Sequence, residues 1–138
     1  MNFVESPNLP NGPVSVAAVD SRIGREAECE LLSLGIKLLK VRPHPGLYDS
    51  VCCHPDMVLH HVGGGTMVYA PGTGEELLVL LREMGFKLLK GETELSPSYP
   101  KDIAYNVARV GRLYFHNLKY TDPVVRRKLE EQGIEPVH

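Results

Sequence analysis

Ten residues, Leu31 to Lys40 (LLSLGIKLLK), return fifty positions later as Leu81 to Lys90 (LREMGFKLLK), with six of the ten identical. A weaker third copy, Leu129 to Val137 (LEEQGIEPV), follows 48 positions on, with Gly133 standing where Gly35 and Gly85 stood. A chain that repeats itself at such a period is built from one supersecondary unit used several times. The other half of the unit repeats as well. A shift of 46 lays Met57, Gly65, Met67, Val68 and Tyr69 onto Ile103, Gly111, Leu113, Tyr114 and Phe115, and Asp56 onto Asp102. Each copy reads as strand, glycine turn, strand, helix, glycine, strand, a ββαβ module. The expected organisation is one α/β (α+β) domain over 1–138 with modules near 1–50, 51–98 and 99–138, the first less complete.

The helices can be placed locally. Thr73 and Glu76 have capping-box spacing, and Leu77, Leu80, Leu81 and Met84 follow at helical intervals, so this stripe is expected to lie on a sheet. In the third copy Asp122 is expected as N-cap and Pro123 as the first helical residue, where a missing N–H does no harm. The first helix carries Ile23, Ala27, Leu31 and Leu34. All three stop at glycine, which enters a left-handed cap without a Cβ clash. The strands that follow, Ile36 to Val41 and Phe86 to Lys90, hold paired leucines, as central strands covered on more than one side do. The hairpins are expected to pair Met57–Val62 with Thr66–Ala70 and Ile103–Ala108 with Arg112–Phe115. Gly63, Gly64 and Gly65 make the first turn; a phosphate loop is set aside because no Gly-Lys-Ser/Thr follows.

With 43% apolar and 23% charged residues in 138, the chain can bury a core of its own. Its net charge of −2 excludes a general nucleic-acid binder, and the Arg126-Arg127-Lys128 run reads as a solvated helix side. No segment has the length of apolar sequence that a membrane span needs, and no leader pattern opens the chain, so a cytoplasmic protein is expected. Three cysteines, two of them adjacent, make a poor disulfide framework. Cys29 reads as a packing residue in the first helix.

Chemistry concentrates in Cys52-Cys53-His54-Pro55-Asp56, with His60 and His61 downstream and His44 upstream. Three readings stay open. Thiolates, imidazoles and a carboxylate are zinc ligands, although no C-x-x-C spacing is present. A cysteine activated by His54, itself oriented by Asp56, is a nucleophile's arrangement that another element would have to bring together. The third is a loop that starts a strand with the cysteines partly covered.

The modular pattern and the phrases HPDMVLHHVGGGTMVYAPG and YPKDIAYNVARVGRLYFHNLKYTDP resemble a bacterial branch of the guanidino-group-modifying superfamily, the pentein or α/β-propeller fold. The resemblance runs from about Val14 onward. Members include arginine deiminase, agmatine deiminase, dimethylarginine hydrolase and amidinotransferases, with a non-enzymatic branch that binds ribosomal subunits. It implies a central site where carboxylates grip a planar guanidinium and a cysteine attacks its carbon. His54-Pro55-Asp56 has the form of the family's His-x-Asp phrase, which makes His54 the acid/base candidate. Asp56, Asp102, Asn106 and His60 become substrate-binding candidates, with Asn106 aligned on His60. The reading carries no cofactor and no resident metal.

The family enzymes have five modules and a nucleophilic cysteine near the C-terminus, whereas this chain supplies about three and no counterpart to that cysteine. The resemblance therefore implies an N-terminal half, or a ring completed by another chain. Two functions follow: a non-catalytic binding module, or half of a hydrolase or amidinotransferase acting on an arginine-like compound. A metal-binding module is a third. An unclosed propeller leaves edges and helix faces uncovered, so a homo-oligomer is expected, most simply a dimer.

Overall fold

The computed structural model describes residues 2–5, 15–42, 44, 55–96, 101, 104–110, 112–115 and 120–137. Among them run β1 (Asn2–Glu5), β2 (Ser15–Asp20), α1 (Arg25–Ser33) and β3 (Lys37–Val41). A 3-10 turn (Pro55–Met57) leads into β4 (Leu59–Gly63), β5 (Thr66–Tyr69), α2 (Glu75–Glu83) and β6 (Lys87–Lys90). The last part holds β7 (Ala108–Val110), β8 (Leu113–Phe115), α3 (Pro123–Glu131) and β9 (Glu135–Val137).

These strands form three sheets of three strands each, ordered β1-β2-β3, β4-β5-β6 and β7-β8-β9. In every sheet the first pair is antiparallel and the second parallel, with a helix carrying the chain between the parallel strands. Helix α2 packs on β3 and α3 packs on β4, each against the sheet before its own. One apolar cluster runs from Val16 and Leu39 of the first sheet through Leu59 and Met67 of the second and Leu81 of α2 to Val125 and Leu129 of α3 and Ile134 just before β9.

Each helix is stopped in the same way. Gly35, Gly85 and Gly133 have φ of 76°, 88° and 72°. The N–H groups of Ile36, Phe86 and Ile134 reach back to the carbonyls of Leu31, Leu81 and Leu129, which closes a Schellman motif three times. Gly64 and Gly65, at φ 61° and 72°, make the two-residue turn between β4 and β5, with both residues left-handed as a type I′ hairpin requires.

The structure departs from the sequence expectations at several places. Gly74, not Thr73, caps α2 with no side-chain bond; the Thr73 hydroxyl turns back to the Ala70 carbonyl at 2.6 Å, the local competition that short hydroxyl side chains offer a helix end. Leu80 of the expected stripe is 45% exposed and Leu78 is buried in its place. The leucine-paired strands β3 and β6 are edge strands, since β2 and β5 occupy the centres of their sheets. The hairpin strands start late: Met57 ends a turn closed by Val58 N–H on the Pro55 carbonyl, and Ala104 and Tyr105 form a turn before β7. In the first sheet β1 completes the ββαβ pattern.

Register corrects the repeat shift. Thr66 pairs with Lys87 and Leu113 with Glu135, each two residues past its helix-ending glycine, so Leu113 answers to Thr66 and not to Met67. A bulge between His61 and Gly63 has no counterpart in the third sheet. His60 faces Val68, and the residue in that place in the third sheet is Ala108, opposite Phe115. Asn106 is thus two positions away from the alignment expected for it.

Candidate functional site

The seam between the first and second sheets opens into a cleft of about 400 Å³. Its walls come from the end of β3 (Lys40, Arg42), from His44, from Val58, and from the loop and first turn of α2 (Thr73, Glu76). The sequence builds this wall simply. Gly72, at φ 88°, lets the chain turn off β5, and α2 then starts with Glu75 and Glu76 in its first turn, where carboxylates oppose the helix dipole favourably.

His44 is buried at 8% exposure, and its Nε2 lies 2.6 Å from the Pro71 carbonyl oxygen. A carbonyl only accepts, so Nε2 carries the proton and donates. Lys40 pairs with Glu28 at 2.8 Å, and Arg42 lies 3.9 Å from Glu76 across the seam. The carboxylate of Glu76 therefore already faces a guanidinium, that of the chain itself. Charges of both signs line this cleft, so it is not an anion site.

His60 and His61 sit on adjacent residues of β4, and neighbours on a strand point to opposite faces. His60 is buried in the second sheet at 9% exposure. His61 meets Phe86 edge-on, with ring centroids 6.0 Å apart and planes at 81°. The two imidazoles are therefore not one site. Asn106 is exposed just before β7. Neither His60 nor Asn106 lines the cleft. Asp56 lies in the 3-10 turn that packs against β2 and β4, on the seam whose cleft Val58 lines; its side chain is outside the described residues. His54, Asp102, Cys52 and Cys53 are outside them altogether. Among the described residues no three metal-ligating side chains come together.

A second polar centre escaped the sequence reading, which saw Asp122 only as a cap. Asp122 is fully buried. Its Oδ1 accepts from the N–H groups of Val124 and Val125 at 2.9 and 3.4 Å. Its Oδ2 accepts from Glu92 and Thr93 N–H at 2.8 and 2.7 Å, with the Tyr105 hydroxyl at 3.2 Å. That hydroxyl donates to the Thr93 carbonyl at 2.6 Å. Burial first, and then the neighbouring Asp122 carboxylate, hold the Tyr105 phenol far above the usual tyrosine range. Two successive amides after β6 that need a common acceptor could not be read from the sequence. The arrangement ties the exit of the second sheet to the start of α3.

The model of a family of unknown function, DUF6873, matches residues 18–138. No curated protein matches the chain by sequence. Among solved structures, the N-terminal domain of a cyanobacterial arginine dihydrolase is 17% identical with a TM-score of 0.59, over 91% of this chain and 44% of that one. An inosamine-phosphate amidinotransferase of Streptomyces griseus is 17% identical with a TM-score of 0.55, over 89% of this chain and 36% of its own. A dimethylarginine dimethylaminohydrolase is 15% identical with a TM-score of 0.54, over 89% and 43%. The chain spans less than half the length of each of these. The fold is thus the pentein α/β fold that the sequence resemblance implied. No helix among the described residues is long and apolar enough to cross a membrane.

Proposed function

We propose that this chain, which belongs to the family of unknown function DUF6873 and has a pentein fold, recognises the guanidino group of an arginine-like compound. The observation that carries the proposal is a likeness over about nine-tenths of the chain to three proteins with different reactions and one shared chemical handle. Arginine, dimethylarginine and a transferred amidino group all present the same planar, cationic N–C–N unit. Asp56 and Asp102 are the carboxylates proposed to grip it, since a carboxylate matches the paired donors of a guanidinium bidentately. His54 is the group proposed to move a proton, and His60 and Asn106 are proposed as further substrate-binding residues. The position of the Asp56 turn on the seam of the first two sheets supports this choice.

On this reading residues 1–138 act as one domain, which the apolar cluster shared by the first two sheets, α2 and α3 supports. The chain binds without turnover, because no thiol is assigned to the guanidinium carbon. Half of a hydrolase or amidinotransferase is the second reading, favoured by the enzymes named among the structural neighbours. A cytoplasmic setting goes with both, as the poor disulfide framework suggests.

Calorimetric titration with arginine, agmatine and methylguanidine tests the proposal. Saturable binding is expected, weakened tenfold or more by Asp56→Asn and by Asp102→Asn and unaffected by Glu76→Gln in the cleft. Ammonia or urea release is expected to be absent, and its appearance with a His54 dependence would establish the enzymatic reading. Equal affinity of all variants would sink the carboxylate assignment.

A further inference from the structure

The 3-10 turn that carries Asp56 is closed by Val58 N–H on the Pro55 carbonyl at 3.0 Å, and the Val58 carbonyl in turn accepts from Ala70 N–H at 2.9 Å. Pro55, Val58 and Ala70 are all buried. The other side of Ala70 is held twice. Its carbonyl accepts from Thr73 N–H at 3.2 Å and from the Thr73 hydroxyl at 2.6 Å, which together occupy both of its lone pairs. The next carbonyl along, that of Pro71, takes the Nε2 proton of the buried His44, which reaches it from beyond β3 of the first sheet. A continuous run of hydrogen bonds therefore leads from the Thr73 hydroxyl, in the wall of the cleft, to the turn of Asp56.

The turn after β5 does not need that hydroxyl in order to form. Val16 pairs with Lys37 and Thr66 with Lys87, each two residues past its helix-ending glycine, and this register sets Asp20 on Ala70 and Ile23 on Thr73. Ile23 N–H closes the same turn on the Asp20 carbonyl at 3.0 Å with a wholly apolar side chain. The second module, whose first hairpin strand begins at the Asp56 turn, adds a donor that the first module does without.

We infer that Thr73 is a positioning residue: its hydroxyl fixes the Ala70 carbonyl, Ala70 fixes Val58, and Val58 closes the turn from which Asp56 binds. A carboxylate that must meet a planar cation in one orientation gains from a turn already fixed, because ordering it at the moment of binding would cost affinity. The part Thr73 plays in binding rests on the guanidino reading above. Its hold on the turn does not.

Amide hydrogen exchange and calorimetric titration with methylguanidine, on the wild type, Thr73→Val and Thr73→Ser, test it together. Valine keeps the shape and loses the donor, whereas serine keeps the donor. In Thr73→Val, exchange at the Val58 and Ala70 amides is expected to rise about 5-fold, the worth of one hydrogen bond, while the Ile134 amide beyond α3 keeps its rate. Thr73→Ser is expected to restore both. Methylguanidine affinity is expected to fall about 5-fold in Thr73→Val, to return in Thr73→Ser, and to show no further loss from Thr73→Val in an Asp56→Asn background, where no carboxylate is left to position. Unchanged exchange at Val58 overturns the inference. So does a rise shared by Ile134, which reports lost global stability, and so does a loss of affinity that persists undiminished with Asp56→Asn. A wild type that binds no methylguanidine overturns the guanidino reading instead, and exchange at Val58 then decides alone whether Thr73 holds the turn.

Discussion

Replacement of Asp122 distinguishes a helix cap from a clamp between sheets. As a cap, Asp122 offers Oδ1 to Val124 and Val125 N–H, and removing such a group costs about 1 kcal/mol. As a clamp, Oδ2 takes Glu92 N–H and Thr93 N–H, each worth about 1 kcal/mol net, while the Tyr105 proton goes to the Thr93 carbonyl. Asp122→Ala is then expected to lose about 3 kcal/mol. Asp122→Asn is the decisive variant. At an ordinary N-cap asparagine equals aspartate to within a few tenths of a kcal/mol. Here one end of the carboxamide can still cap α3, but its NH₂ must then face two backbone N–H groups, donor against donor. A loss of about 2 kcal/mol or more is expected, close to that of alanine. Urea unfolding with an unchanged m-value measures both. If Asp122→Asn unfolds at the wild-type midpoint, the carboxylate is only a cap and the clamp reasoning is wrong.

Further outcomes follow from the same contacts. Gly63→Ala forces a side chain at φ 95° and drives its Cβ into the Gln132 carboxamide; a loss of about 2 kcal/mol is expected, falling to about 1 in a Gln132→Ala background because only the backbone strain then remains. A double-mutant cycle by urea unfolding that shows simple additivity would refute the close approach. The raised Tyr105 phenol keeps its proton in the folded chain while an unfolded tyrosine loses it near pH 10. That contribution to stability is complete below about pH 10 and declines as pH rises further, because the unfolded state then binds fewer protons. Denaturation midpoints between pH 9 and pH 11 should fall less for Tyr105→Phe than for the wild type, and parallel curves would refute the assignment.

Local punctuation was legible in the sequence. Gly35, Gly85 and Gly133 stop helices because a left-handed residue is needed there, and that need is written in a single letter. Asp122-Pro123 announced the start of α3, because the carboxylate accepts from the free N–H groups of the first turn and proline needs no partner there. Register was not legible. Pairing sets β8 against β5 at a shift of 47, Thr66 to Leu113, and the extra residue at the bulge between His61 and Gly63 makes it 48 for β7 against β4, His60 to Ala108, where the repeat suggested 46 throughout. Hence Asn106 was matched to His60 although Ala108 holds that place. Burial of α1 was not legible either, since its stripe of Ile23, Ala27, Leu31 and Leu34 resembles that of α2. The difference lies in what each helix packs against among the described residues: α2 meets β3 of the sheet before its own as well as β6, whereas α1 meets β3 of its own sheet.

The two seams of the fold are held by different chemistry, and the difference bears on where a ligand can act. The second seam is fixed by directional bonds: the buried Asp122 with its donors, and Gln132 on the Val62 carbonyl. Any relative movement of the second sheet and α3 would strand buried donors, which is expensive. Among the described residues the first seam has apolar packing of α2 on β3, a His44 bond to Pro71, and an Arg42–Glu76 pair with both side chains more than 80% exposed. Exposed pairs of that kind hold little, and beside them lies a cleft of about 400 Å³. Apolar contacts are non-directional and tolerate a small rotation that a clamp does not. The Asp56 turn packs between β2 and β4, across this softer seam. If Asp56 grips a ligand as proposed, the ligand would bear on the seam that, among the described residues, is held by apolar packing, while the second seam is held by the buried Asp122 clamp.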